Sequence, residues 1–141
     1  MNLTIVAGGW HYPAHFYHRV SRLASGADLF CVAHRPLDAV EVREEKAFLY
    51  GPGHETGELR QIDREMYREP LTYAALNWMD WSYAEYPNTA GDWVFFNQWL
   101  ETHDYRAYDM ILNCHDDTYF RPGKNVFDLV NEKLTGWPSH P

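Results

Sequence analysis

The residues best suited to chemistry are His115, Asp116 and Asp117, which follow a short apolar run over residues 110–112. Such a run is typical of a buried strand, so the two carboxylates are expected at the tip of that strand. Adjacent carboxylates repel each other, and each loses hydration where protein excludes water. A divalent cation relieves both problems, and these oxygen ligands suit Mg²⁺ or Mn²⁺. The sequence therefore predicts a metal site; the alternative is a solvated Asp pair that caps a turn.

A glycine pair ends the first apolar run of the chain, residues 3–7, and aromatic residues follow it. Gly8 and Gly9 allow the backbone to come close to a ligand, because neither residue has a Cβ atom. Trp10 and Tyr12 are then placed to stack on a nucleobase; the alternative for Trp10 is a core side chain in a tight strand-to-helix turn. The loop has neither the GxGxxG nor the Walker pattern, so NAD and P-loop chemistry are disfavoured.

A second apolar run, residues 29–33, ends at His34 and Arg35. Arg35 is placed to reach a phosphate or carboxyl group; the alternative is a surface residue before a turn. Ligands of open α/β sheets bind at the carboxyl ends of parallel strands. The three polar strand ends are therefore expected to converge on one binding site.

The elements that must position these residues follow from the spacing of apolar residues. Unalternating runs over residues 3–7 and 29–33 are typical of parallel strands covered on both faces, and the helical spacing between them predicts a β-α-β unit. Residues 70–86 have helical spacing, with Trp78 on the apolar face of the predicted helix, and an N-cap at Thr89 predicts a further helix to about His103. The expected fold class is α/β, Rossmann-like, with a mostly parallel central sheet and helices on both faces.

Length and composition limit the classes of protein to which the chain can belong. With 141 residues, 45% hydrophobic and 23% charged, it is expected to form a single domain over residues 1–141. A net charge of −8 and the lack of a basic cluster argue against nucleic-acid binding. No apolar stretch approaches the roughly 20 residues of a membrane span, and the N-terminus lacks signal-peptide features. Cys31 and Cys114 are expected to be reduced and buried in a cytoplasmic protein.

The sequence HDDTYF at residues 115–120 resembles the metal-binding DxD segment of GT-A-fold glycosyltransferases. The glycine-rich turn stands where those enzymes place their first nucleotide-contacting loop. The resemblance implies that Asp117 ligates Mn²⁺ or Mg²⁺, with Asp116 contacting the ribose or sugar of the donor. His115 replaces the first acidic residue of the usual triplet and is expected to contact the donor or the metal. Loops at 8–12 and 34–35 are expected to hold the base and the ribose.

The function implied by this resemblance is transfer of a sugar from a UDP- or GDP-sugar to a glycan or other acceptor. Few residues follow the motif, so the acceptor half is expected to be short or missing, and no catalytic base is assigned. Two alternatives stay open. The first is a GT-A-like module that binds nucleotide sugars or self-associates without turnover, which the aromatic content of 16% favours. The second is a metal-dependent phosphohydrolase.

Overall fold

The computed structural model describes residues 1–37, 71–89, 94–116, 118 and 125–135. The N-cap segment predicted after Thr89 lies partly outside these ranges. None of the helices in this part of the chain has the length and hydrophobicity needed to cross a lipid bilayer. The elements are strand β1 (Leu3–Gly9), helix α1 (Ala14–Leu23), strand β2 (Asp28–Ala33), helix α2 (Tyr73–Trp78), strand β3 (Trp81–Glu85), helix α3 (Val94–Thr102), a 3₁₀ turn (Tyr105–Ala107), strand β4 (Met110–His115) and helix α4 (Val126–Thr135).

The four strands form one parallel sheet in the order β3-β2-β1-β4. The chain adds β2 and β3 on one side of β1 and then returns to place β4 on the other side. The strand order therefore reverses between β1 and β4, where Gly8 is the register partner of His115. Open α/β sheets bind their ligands outside the carboxyl ends of the strands at such a reversal.

Apolar side chains cover both faces of the sheet, because alternate residues of a strand point to opposite sides. Ile5 and Ala7 of β1 share one buried cluster with Tyr17 of α1. Val6, which lies between them in sequence, packs in a second cluster with Trp99 of α3. The predicted α/β fold, with a parallel sheet and helices on both faces, is confirmed.

The helix predicted over residues 70–86 is wrong in its second half. Helix α2 ends at Trp78, and the residues from Trp81 to Glu85 form strand β3. Asp80 has a φ of 60° and turns the chain between these two elements. Trp78, which the helical spacing assigns to a buried face, is 82% exposed, whereas Trp81 is buried. Parallel pairing with β2 thus overrides the local helical pattern.

Both cysteines are free. In the strand register, Cys31 and Cys114 are partners of Ala7 on opposite sides of β1. Two strand spacings of about 4.8 Å therefore separate their backbones, which is too far for a disulfide. The prediction that Cys31 and Cys114 do not pair in a disulfide is confirmed. Cys31 is buried as predicted, but Cys114 is only partly buried because β4 lies at the edge of the described sheet.

Candidate functional site

The polar ends of β1, β2 and β4 meet at the carboxyl edge of the sheet. The backbone N–H of Trp10 donates to Asp116 Oδ2 at 3.1 Å. The carbonyl of the same residue accepts a hydrogen bond from Arg35 Nε at 2.8 Å. Trp10 therefore joins the residue after β4 to the residues after β2, and the convergence expected from the sequence is found.

Asp116 is the most completely enclosed polar group at this edge, with 1% of its surface exposed. Its carboxylate accepts four hydrogen bonds, from the backbone N–H groups of Trp10, His11 and Tyr12 and from the hydroxyl of Tyr17. Burial raises the pKa of Asp116, and the N–H groups of Tyr12 and Trp10 oppose that shift. Because all four partners donate, the arrangement suits an ionised carboxylate.

Tyr17 connects this carboxylate to the core. Its hydroxyl donates to Asp116 Oδ2 at 3.1 Å and lies 3.4 Å from Cys31 Sγ. Burial raises the pKa of both Tyr17 and Cys31, so both groups stay protonated near neutral pH. Nothing in the sequence marks Tyr17 for this contact, because its partner lies 99 residues further along the chain.

Replacement of Tyr17 by phenylalanine is expected to lower the free energy of unfolding by about 1.5–3 kcal/mol, since a buried hydrogen bond to a charged group is lost. Chemical denaturation of the wild type and the variant measures this difference. Tyr108→Phe is the matched control, because its hydroxyl donates to Asp28 at 2.6 Å in an exposed position. Equal losses of stability in the two variants would contradict the importance of the buried bond.

The described residues do not supply a metal site around Asp116. Both of its carboxylate oxygens accept N–H groups of the loop after β1. Within the described ranges, no three His, Cys, Asp or Glu side chains are grouped to hold a metal ion. Asp117, which the sequence predicts as a metal ligand together with Asp116, lies outside the described residues, and its role stays a prediction. The structure thus engages Asp116 with its own chain, where the resemblance placed the ribose or the sugar.

Gly8 and Gly9 are required by side-chain packing. A Cβ atom on Gly8 would lie 2.8 Å from the ring of Phe95. A Cβ atom on Gly9 would lie 2.7 Å from the ring of Tyr12 and 2.8 Å from Cys31 Sγ. These separations are shorter than real Cβ contacts. The approach of a ligand to these glycines stays a prediction, and the structure gives a separate reason for the absence of side chains.

Trp10 and Arg35 form a stacked pair at this edge, and both are partly exposed. The guanidinium carbon of Arg35 lies 4.1 Å from the centroid of the Trp10 ring, which is cation–π geometry. Tyr12 is 1% exposed, and its hydroxyl donates to the Arg35 carbonyl at 2.6 Å. The sequence placed Tyr12 against a nucleobase, and the structure places it against Arg35. Among the described residues of this edge, the stacked pair is thus partly exposed, whereas Tyr12 is enclosed.

Two histidines flank Phe95 on the α3 face of the same edge. The Phe95 ring centroid lies 5.3 Å from that of His115 and 6.4 Å from that of His34. His34 Nε2 lies 2.7 Å from Gln98 Oε1, and Gln98 Nε2 donates to the Pro87 carbonyl at 2.9 Å. This network assigns the orientation of the Gln98 amide. His34 therefore donates through Nε2 and, when neutral, keeps Nδ1 as an acceptor.

The sequence analysis did not identify His34 and Gln98 as a pair. Gln98 is one of four polar residues of α3, and no local spacing relates it to His34. The pair exists because α3 packs across the sheet beside the end of β2, which is a property of the tertiary fold.

Comparisons of the chain with known proteins give no match. No family model fits the sequence, and no curated protein or solved structure matches it significantly. Its function is therefore inferred from the strand order and from the contacts at the carboxyl edge of the sheet.

Proposed function

We propose that the chain is the nucleotide-sugar-binding domain of a metal-dependent glycosyltransferase with a GT-A-like fold. The observation that carries the proposal is the meeting of three strand ends where the strand order reverses. The carboxyl edge at such a reversal is the usual ligand site of open α/β sheets. The residues that resemble the DxD segment begin at the last residue of β4. The motif therefore lies at the sheet edge where the strand order favours a ligand.

The stacked pair supports a donor that contains a diphosphate. Arg35 is held by the ring of Trp10 and by its carbonyl, so a cation is fixed at the edge of the sheet. A protein of net charge −8 repels an anionic ligand unless it places cations locally. Arginine is suited to phosphate oxygens because its planar group donates from several N–H bonds. Arg35 is therefore assigned to the diphosphate and Trp10 to the adjoining nucleoside.

Metal dependence enters the proposal through the resemblance of residues 115–117. Asp117 would hold Mn²⁺ or Mg²⁺, and such an ion supplies charge stabilisation to a departing nucleotide diphosphate. His115 would contact the donor from the end of β4. No described residue is assigned as a catalytic base, and the acceptor is proposed only as a glycan or other hydroxyl compound. A cytoplasmic location belongs to the same proposal.

Calorimetry with UDP, GDP and their sugar conjugates, with and without Mn²⁺, tests the proposal. We expect metal-dependent binding of one nucleotide class by the wild type. Asp117→Ala is expected to weaken that binding at least about tenfold, which corresponds to the loss of one charge-assisted contact. Asp128→Ala, which removes an exposed carboxylate in the first turn of α4, is the matched control and should bind as the wild type does.

The outcomes separate the three functions considered. Donor binding with release of nucleotide in the presence of glycan acceptors supports a transferase. Binding without turnover identifies a nucleotide-sugar-binding module. Release of phosphate from simple esters identifies a phosphohydrolase. No binding of any nucleotide, or binding that Asp117→Ala leaves intact, would overturn the metal-dependent site.

A further inference from the structure

The loop between β1 and α1 has the geometry of an anion site. The backbone N–H groups of Trp10, His11 and Tyr12 all point to one carboxylate. Tyr12 has a φ of 51°, in the left-handed region that non-glycine residues rarely adopt. Successive N–H groups arranged around such a residue form a concave nest that attracts anions. The nest lies immediately before α1, which adds the favourable end of the helix dipole.

This nest is filled by the chain itself. The Asp116 carboxylate binds all three N–H groups, and Tyr17 donates a fourth hydrogen bond from helix α1. Asp116 is buried among these partners. A phosphate of a ligand and the Asp116 side chain would therefore compete for the same donors. The internal carboxylate is held without loss of translational freedom, so it has the advantage over a free anion.

The filled nest fixes the residues that face a ligand. The Trp10 peptide is held from two sides, through its N–H by Asp116 and through its carbonyl by Arg35. Tyr12, the last residue of the nest, donates its hydroxyl to the Arg35 carbonyl at 2.6 Å. The position of the Trp10–Arg35 pair is thus tied to the carboxylate through two separate connections.

We infer that Asp116 is a positioning residue, an internal anion that replaces a ligand anion in the loop after β1 and thereby holds the Trp10–Arg35 pair in place. The positioning of the Trp10–Arg35 pair for a ligand rests on the function proposed above. The filling of the nest by Asp116 does not, because the nest and its occupant both belong to the chain. Asp116 then contacts neither a metal ion nor the donor, and the donor phosphates lie outside this loop.

Chemical rescue tests the internal anion. Asp116→Ala leaves the three N–H groups without their acceptor, and we expect the midpoint of thermal unfolding to fall by about 10 °C. Sodium formate, the smallest carboxylate, is expected to restore part of this loss in a saturable manner, because it binds the folded form alone. Sodium chloride at equal ionic strength is the salt control. Leu76→Ala is the matched variant. Leu76 is buried in the same apolar cluster as Tyr12 and Tyr17, and its truncation leaves no N–H group without an acceptor.

The outcome that overturns the inference is the lack of any formate-specific rise in Asp116→Ala, or an equal rise in Leu76→Ala. If Asp116→Ala does not fold in chloride, the yield of refolding in formate against chloride gives the same comparison. Asp116→Asn keeps the side-chain volume. With its Oδ1 in the place of Oδ2 it still accepts from Trp10 and Tyr12, but its NH₂ group faces the N–H of His11. We expect faster amide hydrogen exchange at His11 in that variant, and unchanged exchange there would also overturn the inference.

Nucleotide binding supplies the second readout. In Asp116→Ala the affinity for the nucleotide that the wild type binds is expected to fall at least about tenfold and to recover as formate is added. Formate rescue of stability without recovery of affinity would overturn the positioning role while leaving the internal anion intact. Failure of the wild type to bind any nucleotide would count against the proposed function, and rescue of stability by formate would still be expected.

Discussion

Replacement of Gly9 by alanine is expected to lower the free energy of unfolding by about 1–3 kcal/mol, in the absence of any ligand, because it overpacks a closed site. The added Cβ atom would lie 2.7 Å from the Tyr12 ring and 2.8 Å from Cys31 Sγ. Neither neighbour is the free end of a flexible side chain. The hydroxyl of Tyr12 is held by Arg35, and both Tyr12 and Cys31 are buried. Chemical denaturation of the ligand-free protein measures the loss.

A double-mutant cycle identifies the source of that loss. Cys31→Ala removes the sulfur atom that meets the new Cβ atom, so Gly9→Ala should cost less stability in its presence. Gly26→Ala is the control for coupling: no atom lies within 4 Å of its Cβ position, so its cost comes from its φ of 94° and not from packing. It should show no coupling to Cys31→Ala. Additive effects of Gly9→Ala and Cys31→Ala would contradict the packing explanation, and a change in ligand affinity alone would favour a role in ligand approach.

Replacement of Arg35 by lysine is expected to weaken nucleotide diphosphate binding by about 10- to 100-fold, the range set by one hydrogen bond to a charged group. The Arg35 guanidinium stacks on the Trp10 ring and donates through Nε to the Trp10 carbonyl. A lysine ammonium has no planar group to stack, and it cannot make both contacts in this geometry while reaching a phosphate. Titration calorimetry of the variant with the nucleotide selected by the wild type measures the change.

Arg106→Lys is the matched control for this substitution. The guanidinium carbon of Arg106 lies 5.6 Å from the Tyr105 ring centroid, so it is also an arginine beside an aromatic ring. It precedes β4 and therefore lies at the opposite edge of the sheet from Arg35. We expect Arg106→Lys to bind nucleotide as the wild type does. Equal affinity of Arg35→Lys and the wild type would remove Arg35 from the proposed site.

Much of the fold could be predicted from the sequence because β1, β2 and β4 contain unalternating apolar runs. β1 and β2 are covered on both faces, so their residues read as buried without reference to any partner. The same reasoning failed at β3. Its residues continue the helical spacing of α2, and only pairing with β2 and the left-handed turn at Asp80 make them a strand.

The acidic segment after β4 shows most clearly which properties the sequence determines and which only the tertiary structure decides. The sequence by itself determined that carboxylates follow an apolar run that forms a strand, since residue type and local hydrophobicity can be read along the chain. The prediction that this strand is buried is wrong, because β4 lies at the edge of the described sheet and its residues are partly buried or exposed. The tertiary structure decided what Asp116 touches, because its donors lie 99 to 106 residues away and meet it only when β4 pairs with β1. Unlike a helix cap, a hydrogen bond to backbone N–H groups so far away in the chain leaves no pattern in the sequence. The sequence therefore predicts Asp116 as a metal and donor ligand, whereas in the fold its carboxylate binds the N–H groups of the loop after β1.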